Sequence, residues 1–181
     1  MKIKKTLSLA LASIALICSC NKSAETTDNA AAKSSGNVDC MKKVYAMFES
    51  GNTEGIEGCV GENMVDHNPD PSIKSTGLQA LKDAIAMNHT AFPDMKTTIL
   101  NVAEDGNVVM VHFNMKGTNS GSMMGMPATN KSVDVNGVDI VRFENGKGVE
   151  HWGYFDMQKM MEQLGMPQGG GAMPADTTHK M

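Results

Sequence analysis

Gly137 to Gly165 reads GVDIVRFENGKGVEHWGYFDMQKMMEQLG. Two runs rich in β-branched and aromatic residues flank Asn145-Gly146, the pairing that a tight hairpin turn prefers because both central residues take positive φ. The second run ends at Asp156. Met157, Met160, Met161 and Leu164 then recur at helical spacing, and Gly165 and Pro167 follow. The stretch therefore predicts a hairpin running into a short amphipathic helix. It gathers Asp139, Glu150, His151, Trp152, Tyr154 and Asp156.

A two-residue turn makes Glu144 face Lys147. Val141 then faces Glu150, Asp139 faces Trp152, Gly137 faces Tyr154 and Val135 faces Asp156. Strand alternation places these residues on one face and Ile140, His151, Val138, Gly153 and Phe155 on the other. A bulge beside the turn would shift this assignment by one residue. In the regular register, carboxylates lie beside Trp152 and Tyr154. An apolar setting raises a carboxyl pKa and suits it to acid or base work near neutrality. Asp139 and Asp156 are candidate catalytic groups on that basis. Asp156 also stands where a helix N-cap stands, and both readings are open.

Working upstream, Lys131 to Phe143 and Lys147 to Phe155 are the hairpin strands. Met95 to Ala103 and Asn107 to Gly117 form another hairpin through Glu104-Asp105-Gly106. Gly77 to Phe92 is helical, with Leu78, Leu81, Ile85 and His89 on one stripe, and Pro93-Asp94 ends it. Glu62 to Asn68 is a short strand stopped by Pro69 and Pro71. Val38 to Glu49 is a helix showing Val44, Met47 and Phe48, and Thr53 to Val60 is a shorter one. Helices followed by an antiparallel meander give the α+β class. The loop Thr118 to Asn130 carries Met123-Met124-Gly125-Met126-Pro127. It reads as a lid over an apolar pocket, as thioether ligation of copper(I), or as background in a chain with 17 methionines. His67, ahead of a proline turn, either bonds its loop or serves catalysis.

The N-terminus has the pattern of a sorting signal. Lys2, Lys4 and Lys5 precede the apolar run Leu7 to Ile17, which is short for a membrane span. Ile17-Cys18-Ser19 before Cys20 resembles a bacterial lipobox, which makes residues 1–19 a signal peptide and Cys20 the lipidated residue. The expected location is the bacterial cell envelope, with the membrane met only through the lipid anchor. Loss of three lysines changes the formal charge from −4 to −7. That balance argues against nucleic acid as a partner.

Residues 20–37 read as a tether, residues 38–167 as one domain and residues 168–181, opening on a glycine run, as a disordered tail. Within the domain, Cys40 and Cys59 are expected to form a disulfide after export, worth roughly 3 kcal/mol in the chain-entropy model, or else to be buried thiols. No HExxH, CxxC, GxSxG or P-loop pattern occurs, so zinc hydrolysis, nucleophilic serine and nucleotide chemistry find no support. No cofactor or metal is expected.

Asp66-His67-Asn68-Pro69, Ala91-Phe92-Pro93-Asp94-Met95, Gly117-Thr118, Pro127 to Lys131, Arg142-Phe143, Asn145-Gly146-Lys147, Glu150-His151-Trp152, Asp156 and Gln163-Leu164-Gly165 together resemble the SnoaL-like polyketide cyclases, or ester cyclases. The resemblance spans about Val38 to Pro167. It implies a cone-shaped barrel of the nuclear-transport-factor-2 type, with N-terminal helices on a curved sheet around an apolar pocket. It also implies metal-free acid/base chemistry on a hydrophobic carbonyl compound, with Asp156 as the proton-exchanging group and His67 or Asp139 assisting. Trp152, Tyr154, Asn68, Phe113 and Met124 are the expected ligand-contacting residues. The family's pocket histidine has no counterpart at Asp139, Ile140 or Arg142, and Gly148 replaces a usual aliphatic residue. A non-catalytic lipoprotein that binds a small hydrophobic molecule is the alternative, and pairing into a homodimer is a further expectation.

Overall fold

A computed structural model describes residues 35–123 and 125–166. The expected signal peptide, Cys20, most of the tether, Met124, Pro167 and the tail lie outside the described residues. Three helices pack on a five-stranded mixed sheet, an α+β fold of the nuclear-transport-factor-2 type.

The first helix, α1, spans Gly36–Ser50. Ser35 caps it by accepting from the Val38 amide, and Gly51 ends it in the left-handed region at φ 71°. The helix thus begins before the expected domain boundary at residue 38. Its most buried stripe is Val38, Met41 and Tyr45, while Val44, Met47 and Phe48 pack less deeply beside it. The helix expected over Thr53 to Val60 is instead one 3₁₀ turn, Ile56–Gly58. Gly55, at φ 77°, precedes it and Gly58 closes it, so no longer helix propagates. Cys40 and Cys59 are joined in a disulfide that ties α1 to this turn.

Strand β1 is Val60–Asp66. It stops there because the Asp66 side chain accepts from the Asn68 amide at 2.9 Å, closing a local turn ahead of Pro69. Helix α2 spans Gly77–Ala91. Strands β2 (Lys96–Asp105), β3 (Val108–Thr118), β4 (Ser132–Glu144) and β5 (Lys147–Phe155) form the antiparallel meander, and α3 (Met157–Leu164) closes the chain. The sheet order is β1-β5-β4-β3-β2, and β1 joins β5 in parallel. Long-range packing, not hairpin geometry, brings β1 to that edge.

Val109, Val111, Phe113 and Met115 alternate inward along β3, and Val133, Val135, Val141 and Phe143 along β4. These residues supply the sheet side of the core, with Ile85, Phe92 and Leu164 from the helical layer. The loop after β3 is organised by Asn119, which is fully buried. Its side chain donates to the carbonyls of Ala91 and Gly121 and accepts from the Thr129 amide and hydroxyl. Every polar atom of that buried amide group has a partner, which is the condition for burying it.

The closing hairpin departs from regular pairing. Glu144 faces Lys147 and Phe143 faces Gly148, but Arg142 faces Glu150. Val149 is the extra residue of a β-bulge. Beyond it, Val141 faces His151, Ile140 faces Trp152, Asp139 faces Gly153 and Val138 faces Tyr154. The regular register expected from the turn is therefore overturned past Val149. His151 moves to the face of Asp139, and Trp152 and Tyr154 move to the opposite one.

Candidate active site

A cavity of about 540 Å³ lies between the inner sheet face and helices α1, α2 and α3. Apolar side chains make most of its wall, among them Met41, Met64, Met115, Met123, Phe113 and Phe155. Methionine and aromatic surface of this kind adapts to varied apolar ligands. Met123 reaches it from the loop after β3, as a lid residue would.

Four polar side chains meet on the cavity wall: Tyr45 from α1, Asp66 at the end of β1, Asp139 in the middle of β4 and His151 in β5. The register explains the meeting. Asp66 pairs with His151 across the parallel β1–β5 edge, and Asp139 lies in the row next to His151 on the same inner face. The His151 ring spans the two carboxylates, with Nδ1 3.2 Å from Asp66 Oδ1 and Nε2 3.2 Å from Asp139 Oδ1. The Tyr45 hydroxyl donates to Asp139 Oδ2 at 2.7 Å. Asp66 Oδ1 also accepts from the Asn68 amide.

Burial opposes a charge on His151. The hydrogen bonds and negative charges of Asp139 and Asp66 outweigh it and hold the imidazole pKa up at about 9. The ring is therefore an imidazolium at neutral pH. Burial, and then the Asp139 carboxylate, push the Tyr45 hydroxyl well above its ordinary value, so it stays a proton donor. Burial works against the Asp66 carboxylate too, yet the bonds from His151 and the Asn68 amide hold it below the usual range. The result is an ionised carboxylate, Asp66, and an uncharged hydroxyl beside a fixed cation. No group of three or more His, Cys, Asp or Glu among the described residues is arranged to hold a metal ion.

Other sequence-derived candidates fall elsewhere. Asp156 caps α3, its Oδ1 accepting from the Lys159 amide at 3.1 Å, and it does not line the cavity. A side chain occupied in that way at the surface is the helix-cap outcome. His67 stacks flat on Trp152, with ring centroids 4.3 Å apart and planes at 4°, on the outer sheet face. Its Nε2 lies 3.0 Å from Glu150, which Arg142 also grips. Trp152 and Tyr154 do not line the cavity, and Tyr154 is exposed. Asn68 and Phe113 do line it, and Phe113 packs against both Tyr45 and Phe155.

Sequence reasoning missed Tyr45, Asp66 and His151 as site residues. Tyr45 had a signal in the Val38, Met41, Tyr45 stripe. Asp66 and His151 stand in the quoted motifs, but β1–β5 pairing and the bulge are both required to bring them together.

The sequence profile of the SnoaL-like polyketide cyclases matches residues 38–164. No curated protein matches. Among solved structures, TsrD from Streptomyces laurentii is similar with a TM-score of 0.67 at 21% identity, over 75% of this chain and 99% of that one. Wild-type IdmH from Streptomyces antibioticus has a TM-score of 0.61 at 26% identity, over 72% of this chain and 99% of its own. A SnoaL-like polyketide cyclase from Agrobacterium tumefaciens shares the fold with a TM-score of 0.60 at 15% identity, over 72% and 99% of the two chains. With its helices on a mixed sheet, its cavity and this profile match, the chain belongs to the SnoaL-like polyketide cyclase family.

Proposed function

We propose that the protein performs acid/base chemistry on a hydrophobic carbonyl compound bound in the cavity, from an anchored position in the cell envelope. The observation that carries this reading is the Tyr45–Asp139–His151–Asp66 cluster on the wall of a largely apolar cavity. Asp139 takes a proton from the carbon next to the carbonyl. The electron pair moves to the carbonyl oxygen, where the His151 imidazolium stabilises it. The enol(ate) carbon then attacks a second carbonyl of the same molecule, as ring closure requires, and the proton held by Asp139 passes to the new alkoxide. A preorganised cation on a largely apolar wall suits such charge development. Membership of a cyclase family supports the same class of reaction.

The test is solvent deuterium exchange at the α-carbon of a panel of apolar ketones and esters, followed by NMR. Wild-type protein should catalyse exchange. Asp139→Asn should slow it about 100-fold or more, the usual scale for loss of a general base. Asp156→Ala and His67→Ala should leave it within about twofold. Equal exchange in Asp139→Asn and wild type overturns the assignment.

Ligand binding without turnover is the second reading, and one observation favours it. Both His151 nitrogens and both Asp139 oxygens already have partners within the chain. Saturable binding of panel compounds with no exchange in any variant would establish it.

A further inference from the structure

Charge is unevenly placed on the cavity wall. Among the described residues that line it there is no Lys or Arg. Its carboxylates are Asp66, Asp70 and Asp139, and its one positive group is the His151 imidazolium. That cation is already shared between Asp66 and Asp139, which hold both of its nitrogens. Asp70 has no such partner. Its Oδ1 accepts from the Ser72 amide at 2.8 Å and the Ser72 hydroxyl at 2.6 Å, and among the described residues it makes no ion pair. An asparagine would close that turn as well, so the turn does not account for the charge. Lys74, in the same loop, borders a different hollow and donates its Nζ to the Pro71 carbonyl.

Asp70 stands at the cavity mouth. Its neighbours Pro69 and Pro71 line the cavity and are exposed, as are Phe155 and Met157. An anion entering here would shed water beside carboxylates and find no base free to receive it. A cation would meet a half-buried carboxylate and the face of an aromatic ring.

We infer that the site takes a hydrophobic carbonyl compound that bears a protonated amine, whose ammonium rests at Asp70 in the mouth while the apolar body fills the cavity. This inference rests on the reading of the cavity as a site for carbonyl compounds. It adds a positive charge to that ligand and excludes carboxylate- and phosphate-bearing ones. The carbonyl end reaches the inner cluster, and the amine end stays near water.

Three probes share a naphthalene body: 2-(aminomethyl)naphthalene, a cation at pH 7; 2-ethylnaphthalene, neutral and nearly the same shape; and 2-naphthoate, an anion. Each is titrated by fluorescence into the full chain, into Asp70→Asn and into Glu54→Gln. Glu54 is exposed and does not line the cavity, so it controls for the overall charge of the chain. Wild type and Glu54→Gln should bind the cation about tenfold more tightly than the neutral probe, and the anion about tenfold more weakly, the scale of one contact with a charged group. The neutral probe should displace the cation, since both occupy one cavity. In Asp70→Asn, which keeps an acceptor for Ser72, the cation preference should fall about threefold or more.

Equal binding of the three probes by wild type, or tighter binding of the anion, overturns the inference, as does a cation that the neutral probe does not displace. A preference that survives in Asp70→Asn, or falls as far in Glu54→Gln, overturns the place given to Asp70. The wild-type order of affinities depends on no variant, so it decides the charge of the ligand even if Asp70→Asn does not fold. Exchange at ketone α-carbons separates the two readings. Exchange without cation preference sinks the charge alone, and cation preference without exchange sinks the carbonyl alone.

Discussion

His151 and His67 each meet carboxylates around the β1–β5 edge, one on the inner sheet face and one on the outer. On the inner face, His151 bridges Asp66 and Asp139 with only about a quarter of its side chain exposed (26%). On the outer face, His67 stacks on Trp152 and touches Glu150 with 38% of its side chain exposed. There Arg142 first, and His67 second, hold Glu150 below its usual carboxylate range. The residue types are the same and the distances similar. Depth makes the difference, set by Asp139, whose side chain is only 15% exposed. Water screens the outer pairs, so each contributes little, whereas removing a partner from the inner cluster strands a charge in a poor solvent for it. The inner cluster therefore depends on all of its partners, while the outer pairs exchange theirs for water at little cost.

Deleting Val149 is the most drastic way to test this comparison. It removes the unpaired residue, so Gly148 and Glu150 become consecutive opposite Phe143 and Arg142, and His151 and Trp152 keep their partners and their faces. The expected outcome is a folded chain, weakened by about 4 kcal/mol in urea unfolding because the β1 pairing from Val60↔Gly148 to Val65↔Glu150 must be refitted to a shorter strand. A deletion variant that melts near wild type would show that the bulge is dispensable once the register is set.

Asp139→Ala comes next. It leaves His151 with a single carboxylate and Tyr45 without its acceptor, and it should lower stability by about 3 kcal/mol in urea unfolding at pH 7. A loss no larger than that of an outer-face variant would erase the distinction drawn between the faces.

The pH dependence sharpens it further. The folded-state pKa of His151, about 9, lies above the ordinary 6.5, so the folded chain holds a proton that the unfolded chain releases first. This stabilisation is complete below about 6.5, declines as pH rises and is lost above about 9, a fall of about 2 kcal/mol after allowance for partial exposure. Urea unfolding from pH 6 to 10 measures it, and His151→Gln should flatten that part of the curve. Asp66 acts in the opposite direction. Its lowered pKa gives stability that is present above the ordinary carboxylate range and is lost as pH falls through the folded-state value.

The smallest effect belongs outside. Glu150→Gln should barely move the urea unfolding midpoint, with the change reduced further by salt. A loss as large as that of Asp139→Ala would mean that the outer face carries structural charge as well.

Much of the architecture was legible along the chain. Glu104-Asp105-Gly106 and Asn145-Gly146 announce their turns, and Pro93 and Gly165 end their helices, because such residues act through local backbone geometry. The short helix expected over Thr53 to Val60 gives way to one 3₁₀ turn because Gly55 and Gly58 interrupt it. Asp139 was legible as a carboxylate in an apolar strand that needs partners. Its partners were not, since Tyr45 and Asp66 are remote in sequence and Val149 carries no mark of being the residue without a cross-strand neighbour. Asp156 drew attention as a catalytic group through resemblance, while its place before an amphipathic helix correctly described its bond to the Lys159 amide.

By itself, then, the sequence determined the elements, their order and the family, because turns, caps and apolar periods depend on near neighbours. Tertiary structure decided which face each residue of β5 presents and which groups meet in the cavity. One unpaired residue in a hairpin and one parallel strand pairing set those outcomes. Both arise from packing the whole sheet against its helices, which no local stretch of chain records.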